Sequence, residues 1–357
     1  MSDAAVSAGV RLRTGPEAPP GWDPFVLAHP QGTPFHLADW TRSVAAGLGH
    51  APWWLWAERD GAVAGVFPLS HVRSALFGRR LCSSPQSGYG GQLAEDDGVA
   101  AALLARAEEE AERRGVDWLE VRFPAEGPGP PAGPKWHETH LHVTFGGPIA
   151  GSASDDDDSL LAAIPKKTRA DCRKAAARLT TSQSPVHLDA FFALFAENQH
   201  ALGTPVLPRR FFRAIAGAAS LGPRVLLVRA GDTPVAACLS LRFRDRIVPS
   251  WAGAAPAALP LHPNHALYLG VLREARREGC TWFDFGRSKR GSGSYDFKKR
   301  WGFPESPLHY AYRLVRAAEP PRMSPSDPRW RRRIDAWKRL PLPVANLAGP
   351  WLSPGLS

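Results

Sequence analysis

Gly115, Trp118 and Glu120 recur as Gly279, Trp282 and Asp284 at one constant offset of 164 residues. Ahead of each trio stands the same series of elements. In the first half, "PWWLWAERDGAVAGVFPLSHV" reads as two strands around Asp60-Gly61, a dipeptide that accepts the positive φ of a tight hairpin. "GVAAALLARAEEEAERRG" is then a helix closed by Gly115, and "VDWLEVRF" a strand. In the second half, "RVLLVRAGDTPVAACLSLRF" is a hairpin about Gly231-Asp232. "HALYLGVLREARREG" follows as a helix ending at Gly279, and "CTWFDFG" as a strand. A hairpin, a helix and a strand, repeated with matched punctuation, point to a duplicated α/β unit.

The chain has 357 residues, which exceeds one ordinary core and suits two domains. "PAEGPGPPAGP" (124–134) is expected to be a surface loop, and the polar acidic stretch "AGSASDDDDS" (150–159) a solvated tether. The expected boundaries are therefore 1–155, 156–320 and a basic tail at 321–357. In that tail Asp327 is placed as N-cap and Pro328 at the first helical position. Trp330, Ile334 and Trp337 then form an apolar stripe beside Arg331, Arg332, Arg333 and Lys338. The stripe either docks on the second domain or lies on an anionic membrane surface.

A net charge of +10 calls for an anionic partner: nucleic acid, a nucleotide sugar or a membrane surface. Two segments concentrate that charge. "IPKKTRADCRKAAARL" is expected to be a helix from about Pro165, with Cys172, Ala175, Ala176 and Leu179 on one side. Lys166, Lys167, Arg169, Arg173, Lys174 and Arg178 spread over the other. "CTWFDFGRSKRGSGSYDFKKRWGF" sends a strand into a loop whose glycines let the backbone approach a ligand. There Arg287 can grip phosphate or carboxylate through paired hydrogen bonds, with Lys289 and Lys298 as point charges. Tyr295, Phe297 and Trp301 would wall the site or stack on a base.

Other chemistries lack their residues. The chain has no GxxxxGK[ST], HExxH or GxSxG segment. The Arg/Gln-x-x-Gly-x-Gly/Ala turn that holds the CoA pyrophosphate in ordinary GNAT acetyltransferases follows neither hairpin. His140 and His142 share a strand face without a third convergent ligand, so they are read as structural and no metal is assigned. Cys82, Cys172, Cys238 and Cys280 are scattered, as suits reduced thiols in the cytoplasm. No apolar run reaches the roughly 18 residues of a membrane span.

"TPFHLADW", "FPLSHVRSALFGRRL…YGG", "IPKKTRADCRK", "LGTPVLPRRFF" and "FDFGRSKRGSGSYDFKKRWGF" followed by "PLHYAY" resemble FemAB-related proteins. They resemble more narrowly the subgroup found with exosortase (PEP-CTERM) and exopolysaccharide loci. The resemblance spans about residues 30–350 and implies an α/β (α+β) chain of two tandem GNAT-like acyltransferase domains. It also implies acyl or aminoacyl transfer to an amine or hydroxyl of an envelope glycan or peptide precursor, without a cofactor. The donor would be aminoacyl-tRNA or acyl-CoA. The long helical hairpin inserted in several peptidoglycan enzymes has no counterpart, which weighs against tRNA. The family's Phe-Lys pair corresponds to Phe297-Lys298. On this reading Lys298 stabilises the developing oxyanion, and the Phe297 backbone positions the nucleophile. Asp284 orients Arg287 or acts as a base. Arg287 and Lys289 hold an anionic substrate, Lys167, Arg169 and Arg173 extend the anion track, and Tyr89, Gly90 and Gly91 line the cleft or form a turn. The competing readings are a non-catalytic glycan- or nucleic-acid-binding protein and an acyl-CoA-dependent N-acyltransferase. Peripheral contact with the inner membrane is a further expectation.

Overall fold

The computed structural model describes residues 4–7, 9–123, 133–155, 157–321 and 328–356. Most of the loop 124–134 and the N-cap assigned to Asp327 lie outside the described residues. The chain divides into two units, residues 1–142, 307–322 and 354–357, and residues 143–306 and 323–353.

The first unit runs β1 (Ala4–Ser7), β2 (Val10–Gly15), α1 (Trp22–Ala28), α2 (Ala38–Leu48), β3 (Ala51–Arg59) and β4 (Ala62–Ser74). It continues through β5 (Gly78–Ser83), β6 (Leu93–Ala94), α3 (Asp97–Arg113), β7 (Trp118–Phe123) and the first half of β8 (Trp136–Pro148). Nine consecutive residues of β4, Ala64 to Val72, are buried, as happens when a strand is covered on both faces. One cover is α3, whose Leu103 and Ala107 meet Leu55, Phe67 and Leu119 in a single apolar cluster. Trp22, Trp40 and Trp54 are also fully buried in this unit.

The second unit runs α4 (Asp157–Ala163), α5 (Lys166–Ala176), β9 (Thr180–Gln183), α6 (Leu188–Leu202), α7 (Arg209–Gly217), β10 (Pro223–Ala230), β11 (Thr233–Phe243) and β12 (Arg246–Ala254). Then come α8 (Pro263–Arg277), β13 (Trp282–Asp284), β14 (Ser288–Lys289), α9 (Gly293–Lys299) and β15 (Glu305–Leu314), with α10 (Pro328–Arg339) and α11 (Leu342–Leu352) at the end. Its sheet has the order β8-β13-β12-β11-β10-β9. Gly253 of β12 sits so close under α6 that a Cβ there would stand 2.6 Å from the Phe195 Cα.

The duplication holds in the pairing. Both hairpins close on two residues, Arg59↔Ala62 and Ala230↔Thr233, with Asp60, Gly61 and Gly231 at positive φ. Gly115 and Gly279 are left-handed after their helices, at φ 55° and 79°. β5 lies parallel to β7 through Arg80↔Trp118, and β12 parallel to β13 through Arg246↔Trp282. Each arginine stands over its tryptophan ring, at 6.0 and 5.0 Å.

The unit boundaries differ from those read in the sequence, and strand pairing is the reason. β15 pairs antiparallel with β7 from His309↔Phe123 to Leu314↔Trp118, which puts residues 307–322 in the first unit. The end of β8 pairs with β13 from Trp282↔Pro148 to Asp284↔Gly146, which puts residues 143–155 in the second. Each unit is completed by a strand from the other half of the sequence.

The acidic stretch is not a free tether. Asp157 opens α4 and pairs with Arg273 (2.8 Å) and Arg276 (3.3 Å), while Arg276 also donates to Asp155 O (3.1 Å). Nor is the tail a separate body: α10 and α11 belong to the second unit. Ile334 packs against Gly203, and His200 Nε2 lies 2.9 Å from Leu340 O. Among the described residues no helix is long and apolar enough to cross a membrane.

Candidate active site

The segment after β13 is shaped by Asp284. Its Oδ1 accepts the N–H of Gly286 (2.8 Å) and the hydroxyl of Thr144 on β8. Gly286 has φ 67°, so the chain turns where a side chain would be strained. The Phe285 N–H is held by Phe145 O (2.9 Å). Ser292 then caps α9, accepting from the Tyr295 N–H (3.3 Å) and donating to Lys289 O (2.7 Å).

α9 turns Lys298 inward, whereas the sequence reading set it as a point charge on a loop. Lys298 is 8% exposed, and its ammonium donates to the carbonyls of Phe285 (2.7 Å), Gly286 (3.2 Å) and Arg287 (3.3 Å). Three converging carbonyl dipoles make a cation site, and the ammonium has one hydrogen for each. Burial lowers the lysine pKa to about 8, with the Asp284 carboxylate pulling the other way.

An aromatic wall surrounds this latch. Phe297 packs on Tyr268 of α8 (5.5 Å) and on His265 (5.1 Å), and His265 stacks on Trp301 (6.2 Å, 21°). His265 Nε2 also lies 3.9 Å from Asp171 of α5, and burial lowers its pKa. Thr168 of α5 donates to Arg300 O (2.7 Å), and Gly302 rests on Pro165. The start of α5 and the end of α9 therefore meet.

The predicted residues divide accordingly. Lys298, Asp284 and Phe297 come together, and α5 brings Lys167, Arg169 and Arg173 to the same unit, with Lys167 and Arg173 exposed. Arg287 is exposed and Lys289 half-buried on the loop. Trp301 is not a stacking platform, being 2% exposed among Phe285, Tyr268 and Phe297. Tyr295 is half-buried, its ring near Phe145 and its hydroxyl donating to Glu305 (2.8 Å). Ala176, assigned to the apolar side of α5, is exposed. Tyr89 and Gly90 belong to the first unit. There Tyr89 meets Phe35 edge-on (5.2 Å), and the Gly90 N–H donates to Arg122 O (2.7 Å).

The sequence reading missed Thr144, His265, Tyr268 and Asp171. The repeat of His262 and His265 at the start of a helix was a visible signal for one of them. Thr144 had none, because it meets Asp284 only through the β8–β13 pairing. The four cysteines are buried and unpaired, and burial raises Cys238 to about 12, which removes it as a nucleophile.

The first unit departs from the second at the corresponding strand. Glu120, the counterpart of Asp284, lies beside Arg122 (2.8 Å) and Arg80 (3.5 Å), and all three are buried. A cavity of about 550 Å³ opens at the start of α3, lined by Glu95, Asp96, Asp97, His29, Gln31 and Gln92.

Residues 166–299 match the family model for acetyltransferase (GNAT) domains. The fold as a whole is similar to the crystal structure of FemX, with a TM-score of 0.61, 16% identity, and coverage of 85% of this chain and 98% of that one. It is also similar to the C-terminal domain (DUF2156) of a protein assigned as a lysylphosphatidylglycerol synthetase from Agrobacterium fabrum (0.54, 11%, 79% and 87%). L-PGS from Bacillus licheniformis gives 0.51, 14%, 78% and 88%. No match was found among curated proteins. The chain is thus a mixed α/β protein with a GNAT domain in its second unit, and its first unit repeats the same order of hairpin, helix and strand. Its overall fold is similar to that of FemX.

Proposed function

We propose that the protein transfers an aminoacyl group from an ester donor to an amine or hydroxyl of a cell-envelope glycan or peptide precursor. The observation that carries this reading is the position of Lys298. It lies on the last helix of the matched GNAT segment, charged near neutral pH and held at the turn that follows β13. The acceptor attacks the donor carbonyl, a new C–N or C–O bond forms, the ester C–O bond breaks, and the departing alcohol takes the proton. Charge builds on the carbonyl oxygen in between. The bond from Lys298 to Arg287 O is the longest of the three and the least buried, so that hydrogen is the one available to the oxyanion. Asp284 is a positioning residue that fixes the turn, and Arg287, Lys289 and the exposed cations of α5 draw in an anionic substrate.

The donor is proposed as an ester and not a CoA thioester for a steric reason. A pyrophosphate needs glycines where backbone N–H groups approach it. The segment from β12 to α8, "APAALPLHP", has none and carries three prolines. The corresponding helix start in the first unit presents Glu95, Asp96 and Asp97, which repel phosphate. A donor screen tests the reading: although the missing helical hairpin weighs against tRNA, an aminoacyl ester such as aminoacyl-tRNA should support transfer to amine acceptors. Saturable CoA binding by calorimetry, with acyl-CoA turnover, would overturn it.

The acceptor is proposed to be lipid-linked, met at the cytoplasmic face of a membrane. α11 exposes Val344 (48%), Leu347 (75%) and Trp351 (85%) on one side. α10 presents Arg331, Arg332, Arg333, Lys338 and Arg339 to solvent, a charge complement to anionic lipid. The motif likeness to exosortase-associated proteins supports exopolysaccharide or surface-protein assembly as the pathway served.

A further inference from the structure

β8 enters the first unit with Glu138 and His140 two residues apart, hence on one face of the strand. β15, its neighbour, brings His309 to the same place. The ring nitrogens and a carboxylate oxygen of Glu138, His140 and His309 all lie within 4.8 Å of one another. His309 Nδ1 is 2.5 Å from Glu138 Oε1, and His140 Nδ1 is 3.6 Å from the same oxygen. The two imidazole rings stand edge to face, 6.2 Å apart.

We propose that these three side chains form a binding site for a divalent transition metal, with zinc as the best fit. Tetrahedral zinc with nitrogen and oxygen ligands places its donor atoms about 3.3 Å apart. The observed separations fall on both sides of that value. The adjustment falls mainly to His140, whose side chain is 69% exposed. Two imidazoles and one carboxylate suit zinc better than calcium or magnesium, which take oxygen ligands alone. Three protein ligands leave a fourth position for water. The metal would also fasten two segments that lie 171 residues apart in sequence, Glu138 and His309. A hydrogen-bonded Glu138–His309 pair without metal affinity is the competing account, and it gives His140 no role.

Full-length protein freed of metal with a chelator is titrated with zinc chloride by calorimetry, and with cobalt chloride by visible absorption. The expected result is one zinc per chain, a rise in Tm on saturation, and cobalt bands of the intensity given by low coordination number. His140→Ala, at an exposed position, should weaken zinc binding by roughly tenfold or more without altering the metal-free Tm. His309→Gln should do the same, and His137→Ala, on the opposite strand face, should leave binding unchanged. Zinc binding that is absent, or equally tight in His140→Ala and in the parent, overturns the proposal.

Discussion

Lys298 carries two consequences at the scale of a single residue. Removing its ammonium with shape retained, Lys298→Met, leaves three buried carbonyls facing one another and should cost roughly 1–3 kcal/mol in chemical denaturation. The cost also has a pH signature. The folded-state pKa is about 8 against an ordinary 10.5, so between those values the unfolded chain holds a proton that the folded chain has lost. Stability therefore rises with pH across that window, and the deficit of Lys298→Met should widen from pH 8 to pH 10. Activity should move in the opposite sense, falling as pH rises through about 8 because the oxyanion needs the charged form. A rate that climbs through the same range would instead make the neutral amine a base. Lys298 was legible as a residue of interest from its neighbours in sequence, but its depth was not. The carbonyls it serves are set by Asp284, whose grip on Thr144 spans 140 residues.

Among elements, α6 and β12 show how close packing is purchased with a small residue. A Cβ on Gly253 would collide with the backbone at Leu194 and Phe195, 2.7 and 2.6 Å away, so Gly253→Ala should destabilise by about 1–3 kcal/mol. The two terminal helices divide their labour differently from the sequence reading. The stripe of Trp330, Ile334 and Trp337 is half-buried, so α10 spends its apolar side on the protein. Periodicity marked that side correctly but could not say whether protein or lipid covers it. Residues 342–352 contain two prolines and little charge, and gave no amphipathic pattern to read. The exposed side belongs to α11. Leu347→Ser with Trp351→Ser should abolish pelleting with anionic vesicles at low salt while leaving Tm within about 2 °C, because exposed side chains contribute little to folding. Wild-type protein that stays in the supernatant with such vesicles would end the lipid reading.

For the whole molecule, the repeat was the most legible feature. Hairpin turns, helix-ending glycines and the paired tryptophans are local signals, and each half displays them independently. Strand exchange left no such trace, since nothing local to β8 or β15 names the strand it pairs with. The halves have also diverged where it matters for chemistry. Asp284 shapes a turn beside Lys298, while Glu120 is enclosed by two arginines, so the proposed catalysis is placed in the second unit alone. Glu120→Gln should therefore lower Tm, through the loss of a buried ion pair, with kcat preserved in the folded fraction.

The exchange of β8 and β15 also sets a timetable for synthesis. The segment that brings β15 into the first unit begins at residue 307, whereas the long N-terminal part of that unit ends at residue 142. At about 5–20 residues per second, a ribosome needs on the order of 10–30 s to deliver it. Throughout that interval β7 presents an open hydrogen-bonding edge, the kind of surface on which nascent chains pair with one another. The N-terminal half is thus obliged to wait, and a transcript cut at the acidic stretch would yield two fragments, each lacking the strand that seals it.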